Sequence, residues 1–398
     1  MRRLMAGVMT LCLGALGAAA PADAVSLREV LFVGNNWDGT VDAIVPDGSF
    51  QKVRRINMIP DRAVRMLEIT LDPVRLAYFL GVRQFIGEGH DQFVDDMYSS
   101  TDGRLLVVSR PSFGDVAALS LETGRIVWRF RVGGFRSDHM ALSPDGQRVA
   151  VSASTGNVVH VLEVATGREI GRFPSGDSPH ENLYSRDGSK IFHASIGAVY
   201  TPLDQKWADS TKGVRYFQIV DANTLQIIKR IDVRAKLDAA GYPQLSQTVR
   251  PMTLSADERF VYFQVSFHHG FVEYDLLEDR VTRVADLPVS NPDIPREHYL
   301  LDSAHHGIAM NPQGTRLCVA GTMSDYATVV SAATFAHGPL VPGAKPYWAT
   351  SDAAGRYCYV SFSGQDRIVA ISYETGAQVA SVPVGNHPQR MRFGSLPG

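Results

Sequence analysis

A turn of the form Ser-Pro-Asp-Gly and its variants recurs along the chain, with its last position at Gly103, Gly146, Gly188, Glu258, Gly314 and Gly355. Successive intervals are 43, 42, 70, 56 and 41 residues, so the base period is about 42. Such a period constrains the fold more than any local propensity, because each repeat must be one unit that buries its faces against its neighbours. A short stretch that reads as a strand precedes each turn (Met140 to Ser143, Leu183 to Ser185, Ile308 to Asn311), and a second follows it (Arg148 to Ser152, Lys190 to His193). Next come an alternating stretch such as Val158 to Val164, a Thr-Gly turn (Thr123-Gly124, Thr166-Gly167, Thr375-Gly376) and a fourth stretch such as Glu169 to Phe173. Four strands per repeat of this length make one blade of a β-propeller.

The two ends complete the count. Val30 to Val33, Val41 to Val45 and Lys52 to Ile56 match strands two, three and four of a blade, and Arg390 to Phe393 matches an isolated first strand. Gly385-Asn-His-Pro-Gln-Arg390 aligns with Gly176-Asp-Ser-Pro-His-Glu181. Six anchored blades and one shared by the termini predict an all-β, seven-bladed β-propeller. Pairing of the N- and C-terminal strands closes it, so no sheet edge is left open. The 398 residues are 45% hydrophobic and 20% charged, enough apolar material for one large core and too little charge for disorder.

Met1-Arg2-Arg3, the apolar stretch Leu4 to Ala20 and the small-x-small run Ala22-Asp23-Ala24 predict a signal peptide over residues 1–24, and a membrane anchor is the competing reading. Residues 25–398 are then a single secreted or periplasmic propeller domain, expected to be a monomer without a membrane span. Lys plus Arg is 39 against 41 for Asp plus Glu, with no basic run, so nucleic acid is not an expected partner. Cys12 falls in the leader. Cys318 and Cys358 remain, in neighbouring repeats, and both a disulfide and two free thiols stay open, because a bridge needs the two sheets closer than their usual spacing of about 10 Å.

Leu142-Ser-Pro-Asp-Gly-Gln-Arg-Val149 and Val161-Leu-Glu-Val-Ala-Thr-Gly167 resemble the YVTN-type propellers, a family also similar to the propellers of quinoprotein amine dehydrogenases and nitrous oxide reductase. The resemblance spans nearly all of the chain after the leader, and it implies the fold rather than an activity. Ala118-Leu-Ser-Leu-Glu-Thr-Gly-Arg-Ile-Val-Trp128 is similar to the tryptophan docking repeat of pyrroloquinoline quinone enzymes and occurs once.

Departures from the 42-residue period fall at 57–92, 198–213, 234–248 and 288–303. All four lie at the end of the propeller where first strands begin, and insertions gathered on one face mark a binding face. The longest, 57–92, predicts a helix from about Val74 to Ile86, with Asp72 as N-cap and Pro73 in the first turn, acting as a lid on the channel mouth.

Aligning the channel-strand starts gives two consecutive rings. The first is Asp95, Asp138, His180, Arg250, His305, Tyr347 and Gln389; the second is Asp96, His139, Glu181, Pro251, His306, Trp348 and Arg390. Strand alternation predicts that only one ring points inward. The second offers His139, His306, Glu181 and Asp96 as ligands for a divalent transition metal of open identity. His180 then serves as acid or base, and Arg390 or Arg250 orients an anionic group of a small-molecule substrate. Nine of the 12 histidines map to this face; His160, His298 and His337 do not. The competing expectations are a mouth whose polar groups only hold water, and a non-catalytic module that binds a peptide, glycan or extracellular protein partner through exposed Trp37, Phe113, Tyr347 and Trp348. No Gly-x-Ser-x-Gly elbow or nucleotide-binding glycine loop is present.

Overall fold

The computed structural model describes residues 26–199 and 206–398. The predicted signal peptide therefore lies outside the described residues, as does part of the 198–213 insertion. The described residues form seven four-stranded antiparallel sheets. The first blade combines Leu27–Asn35, Thr40–Ile44 and Lys52–Asn57 with the C-terminal strand Pro388–Pro397. Its closing register runs from Leu27 opposite Pro397 to Asn35 opposite Pro388. The ring thus closes by pairing of the termini, as the repeat count predicts.

Each blade is buried on both faces, which explains why its central strands are apolar runs. In Leu105–Arg110 of blade 2, Leu106 and Val108 pack with Val30 and Phe32 of blade 1, whereas Val107 packs with Val149 and Val151 of blade 3. Full burial of one such side chain is worth roughly 1.5–3 kcal/mol, so the seven interfaces supply the core.

The repeated turn has a specific chemistry. Asp145 Oδ1 accepts from the Gln147 amide at 3.0 Å, and Ser143 Oγ accepts from the Arg148 amide at 2.9 Å. Ser100-Asp102 and Ser185-Asp187 repeat the arrangement. Gly146 sits at φ +70°, and Glu258 takes the same left-handed position at φ +56°. Trp128, on the fourth strand of blade 2, reaches across to blade 3. Its Nε1 donates to Val164 O at 3.0 Å, and its ring lies against Gly167 of the next Thr-Gly turn, where a Cβ would run into the indole.

Cys318 and Cys358 form a disulfide between blades 6 and 7, with Cα atoms 6.1 Å apart. Both sit on second strands, close to the axis where radiating sheets converge, and Ala320, Ala327 and Ala349 leave room for the approach.

The 57–92 insertion carries two helices, α1 (Arg62–Thr70) and α2 (Pro73–Phe85). Asp72 caps α2, accepting from the Val74 and Arg75 amides. α1 is absent from the sequence reading. Its N-cap, Asp61, makes no side-chain cap bond and instead accepts from buried Arg110, at 2.6 Å. Ile69 and Phe79 from the two helices pack with Phe93 and Phe113, so the pair is seated on blade 2. A third helix, α3 (Val233–Ala239), lies in the 234–248 region.

Candidate functional site

The first strands do not alternate simply at their channel ends. Asp95 and Asp96 together oppose Ser109, and His306 and Gly307 together oppose Ala320. Registers also shift between Ser137 and Met140, Pro179 and Glu181, Val249 and Met252, and Pro346 and Trp348. An extra residue at each strand start breaks the period of two. The expectation that one ring alone faces inward is therefore corrected: Asp95, Asp138, His180 and Arg250 of the first ring share one cavity wall with His139 and Arg390 of the second.

His139, His180 and His306 come together. Each offers a ring nitrogen, and the three atoms lie within 4.8 Å of one another. All three side chains are buried. His139 Nε2, His180 Nδ1 and both nitrogens of His306 have no hydrogen-bond partner. Buried polar atoms without partners are costly, and three converging imidazoles that each carry one fit a shared cation. Burial, reinforced by nearby Arg390 or Arg250, holds all three well below the ordinary histidine range, in the neutral form that a metal requires.

The four ligands read from the sequence divide. His139 and His306 are in the cluster. Glu181 stands behind it, with Oε2 2.7 Å from His139 Nδ1, and burial pushes its carboxyl up to about 8. Asp96 is turned away, paired with Arg392 at 2.9 and 2.8 Å and accepting from the Met97 and Met140 amides. His180, read as acid or base, stands among the potential ligand atoms. A second group, Asp95, Asp138 and His139, also gathers within 4.8 Å, but its carboxylates are engaged by arginines.

Arg390 Nη1 lies 2.5 Å from Asp95 Oδ1, and Arg136 Nη1 lies 2.6 Å from Asp138 Oδ2. Burial raises the Asp95 carboxyl to about 7 despite Arg390, and Asp95 Oδ2 has no partner. Arg250 donates through Nη2 to Ser303 Oγ, whereas its Nε and Nη1 are buried without partners. The cavity has a volume of about 50 Å³, and Ile86 and Gln92 of the 57–92 insertion belong to its wall.

Of the other histidines of this face, His305 is buried with both ring nitrogens unpartnered but, among the described residues, joins no ligand group, whereas His193 and His269 have structural contacts. His193 bonds Ser175 and Asn182, and His269 bonds Ser324 and Tyr299. Trp37 is sandwiched between His90 and His387 at centroid distances of 3.8 and 3.9 Å. The expected exposed aromatic anchors are corrected as well: Phe113, Tyr347 and Trp348 are buried. Tyr347 stacks on His306, and Trp348 lies under the Arg390 and Arg392 guanidiniums.

Fold and site together define a seven-bladed β-propeller with a buried histidine cluster at its channel mouth. The profile of a family described as outer membrane protein assembly factor BamB matches residues 87–211, which span blades 2 and 3 and part of blade 4. The structure of Kuenenia stuttgartiensis hydrazine synthase is similar over 74% of this chain and 88% of that chain, with a TM-score of 0.57 and 16% identity. At that identity the likeness concerns the fold alone. No curated protein sequence matches the chain significantly.

Proposed function

We propose that the protein is a metal-dependent enzyme acting on a small molecule, with one divalent transition metal held by His139, His180 and His306. The observation that carries this reading is the convergence of three buried histidines, each offering a ring nitrogen within 4.8 Å of the others and each carrying an unpartnered ring nitrogen, with His139 and His180 on the wall of a cavity. Three imidazoles leave a coordination position open, and a metal held that way supplies Lewis acidity or redox chemistry to a bound substrate. Glu181 orients His139 through Nδ1, the role of an outer carboxylate behind a ligating histidine. Asp95, through its unpartnered Oδ2, is placed to take and return a proton. Arg390 holds Asp95, Arg250 receives an anionic group, and the 57–92 insertion limits water entry.

The apolar leader supports export to the periplasm or beyond, and the Ser-Pro-Asp-Gly repeats support a place among YVTN-type propellers. Among the described residues, no helix is long and apolar enough to cross a membrane. Capture of a peptide, glycan or protein partner by the mouth is less well supported, since three of its four proposed anchors are buried. The test is metal content by plasma mass spectrometry, on protein purified without chelator or nickel. About one equivalent, lost in His306→Ala, is expected; metal-free protein that stays so after reconstitution contradicts the reading.

A further inference from the structure

An apolar groove adjoins the buried cavity. This groove, of about 290 Å³, is lined on one side by α2 through Ala77, Tyr78, Gly81, Val82 and Phe85. Ile86 and Thr155 line both spaces, so the two meet at these side chains. Among the described residues, no charged side chain lines the groove. Tyr78 and Phe85 remain 42% and 54% exposed although they face this groove, and Tyr78 is held in place by stacking on Phe135 at 4.2 Å.

At the inner end the charge is unbalanced. Arg136 and Arg390 each have a carboxylate partner, in Asp138 and Asp95. Arg250 is 1% exposed and, among the described residues, has no carboxylate partner of its own. The acidic group nearest to it in effect, Asp302, lies 2.5 Å from the Lys212 ammonium. A buried guanidinium with two unpartnered nitrogens is stabilised by an anion placed against it. The inner cavity's 50 Å³ admits a head group of a few atoms and excludes a ring.

We infer that this site takes an amphiphilic carboxylate, its head group against Arg250 and its unbranched apolar tail along α2 between Ile86, Thr155 and Phe85. The assignment rests on the proposed function for the chemistry done on the ligand, but the binding it describes does not require the metal. It places the reacting carbons of the ligand beside the histidine cluster, since His139 and His180 share the wall that holds Arg250.

The test is calorimetric titration of the whole protein with butanoate, hexanoate, octanoate and decanoate, with 1-octanol as the uncharged probe, before and after chelation. Affinity is expected to rise about three- to four-fold per methylene until the groove is filled, and octanoate should bind at least about tenfold more tightly than octanol. Phe85→Glu, at an exposed position, should flatten the chain-length series while leaving butanoate binding intact. Arg250→Gln should abolish the preference for acid over alcohol. Equal binding of acid and alcohol, or affinity independent of chain length, overturns the assignment. So does a dimer in sedimentation velocity that Phe85→Glu dissociates, because a second copy would then cover the groove. A chain-length series retained in protein that never binds metal would uphold the subsite while removing the metal. Stoichiometric metal without alkanoate binding would do the reverse.

Discussion

Glu181 Oε2 lies 2.7 Å from His139 Nδ1, with both side chains buried and the opposite nitrogen of the imidazole left without a partner. Once ionised, Glu181 accepts from His139 Nδ1–H, which leaves Nε2 free of a proton and more basic towards a cation, so metal uptake below about pH 8 is expected to release the proton that burial holds on Glu181. Glu181→Gln should therefore lower metal affinity about 10- to 100-fold without unfolding the protein. Competition against a chromophoric chelator measures this. Unchanged affinity would mean that Glu181 does not support a ligand.

His387, stacked on Trp37, is pushed down to about 3 by burial, and then by Lys345 and His90. Between that value and the ordinary 6.5 the unfolded chain binds the proton that the folded one refuses. Stability from this group is therefore complete above about pH 6.5 and falls progressively as pH drops towards 3. His193 at about 3 and His269 at about 4, both lowered first by burial, act with the same sign. Urea midpoints should fall between pH 7.5 and pH 5, and less steeply in His387→Asn, whose side chain suits the left-handed backbone at φ +53°. Parallel curves for the two proteins would contradict this.

The Cys318–Cys358 bridge closes a separation of 40 residues. Constraint of the unfolded chain by a loop of that size is worth about 4 kcal/mol in the chain-entropy account. A Cys318→Ala/Cys358→Ala protein should be destabilised by roughly 2–4 kcal/mol in urea unfolding, with its metal content unchanged. A midpoint insensitive to loss of both thiols would show that the bridge contributes nothing.

Gly167→Ala should cost at least about 1–2 kcal/mol from its left-handed backbone alone, at φ +70°. The added Cβ also displaces the Trp128 ring from its seat on the next blade. Near-ultraviolet dichroism of that indole should change with the thermal midpoint. An unchanged midpoint would show that this docking of blade 2 on blade 3 carries little stability.

The fold was legible because a propeller repeats its turn chemistry and its burial at every blade. Ser143-Pro-Asp-Gly146 reports a hydrogen-bonded turn, and the incomplete repeats at the two ends report the closing sheet. The α2 helix was legible through its Asp72-Pro73 start, whereas α1 was hidden because Asp61 serves Arg110 instead of capping. The histidine face was legible, but its internal arrangement was not. Extra residues at the strand starts abolish simple alternation, and this turns Asp96 away towards Arg392 and brings His180 in beside His139. Adjacent polar residues at the same point of successive blades, Asp138-His139 and His180-Glu181, are the sequence sign of such an interruption. The pairing of Asp96 with Arg392 joins residues 296 apart and has no local signature.

X-ray absorption at the edge of the bound metal, recorded on the reconstituted wild-type protein and on His180→Ala, reads the metal's ligands themselves. Three imidazole scatterers are expected in the wild type, falling to two with much weaker binding in the variant. A first shell without imidazole, or one that His180→Ala leaves intact, would contradict the assignment of His139, His180 and His306 as the metal centre.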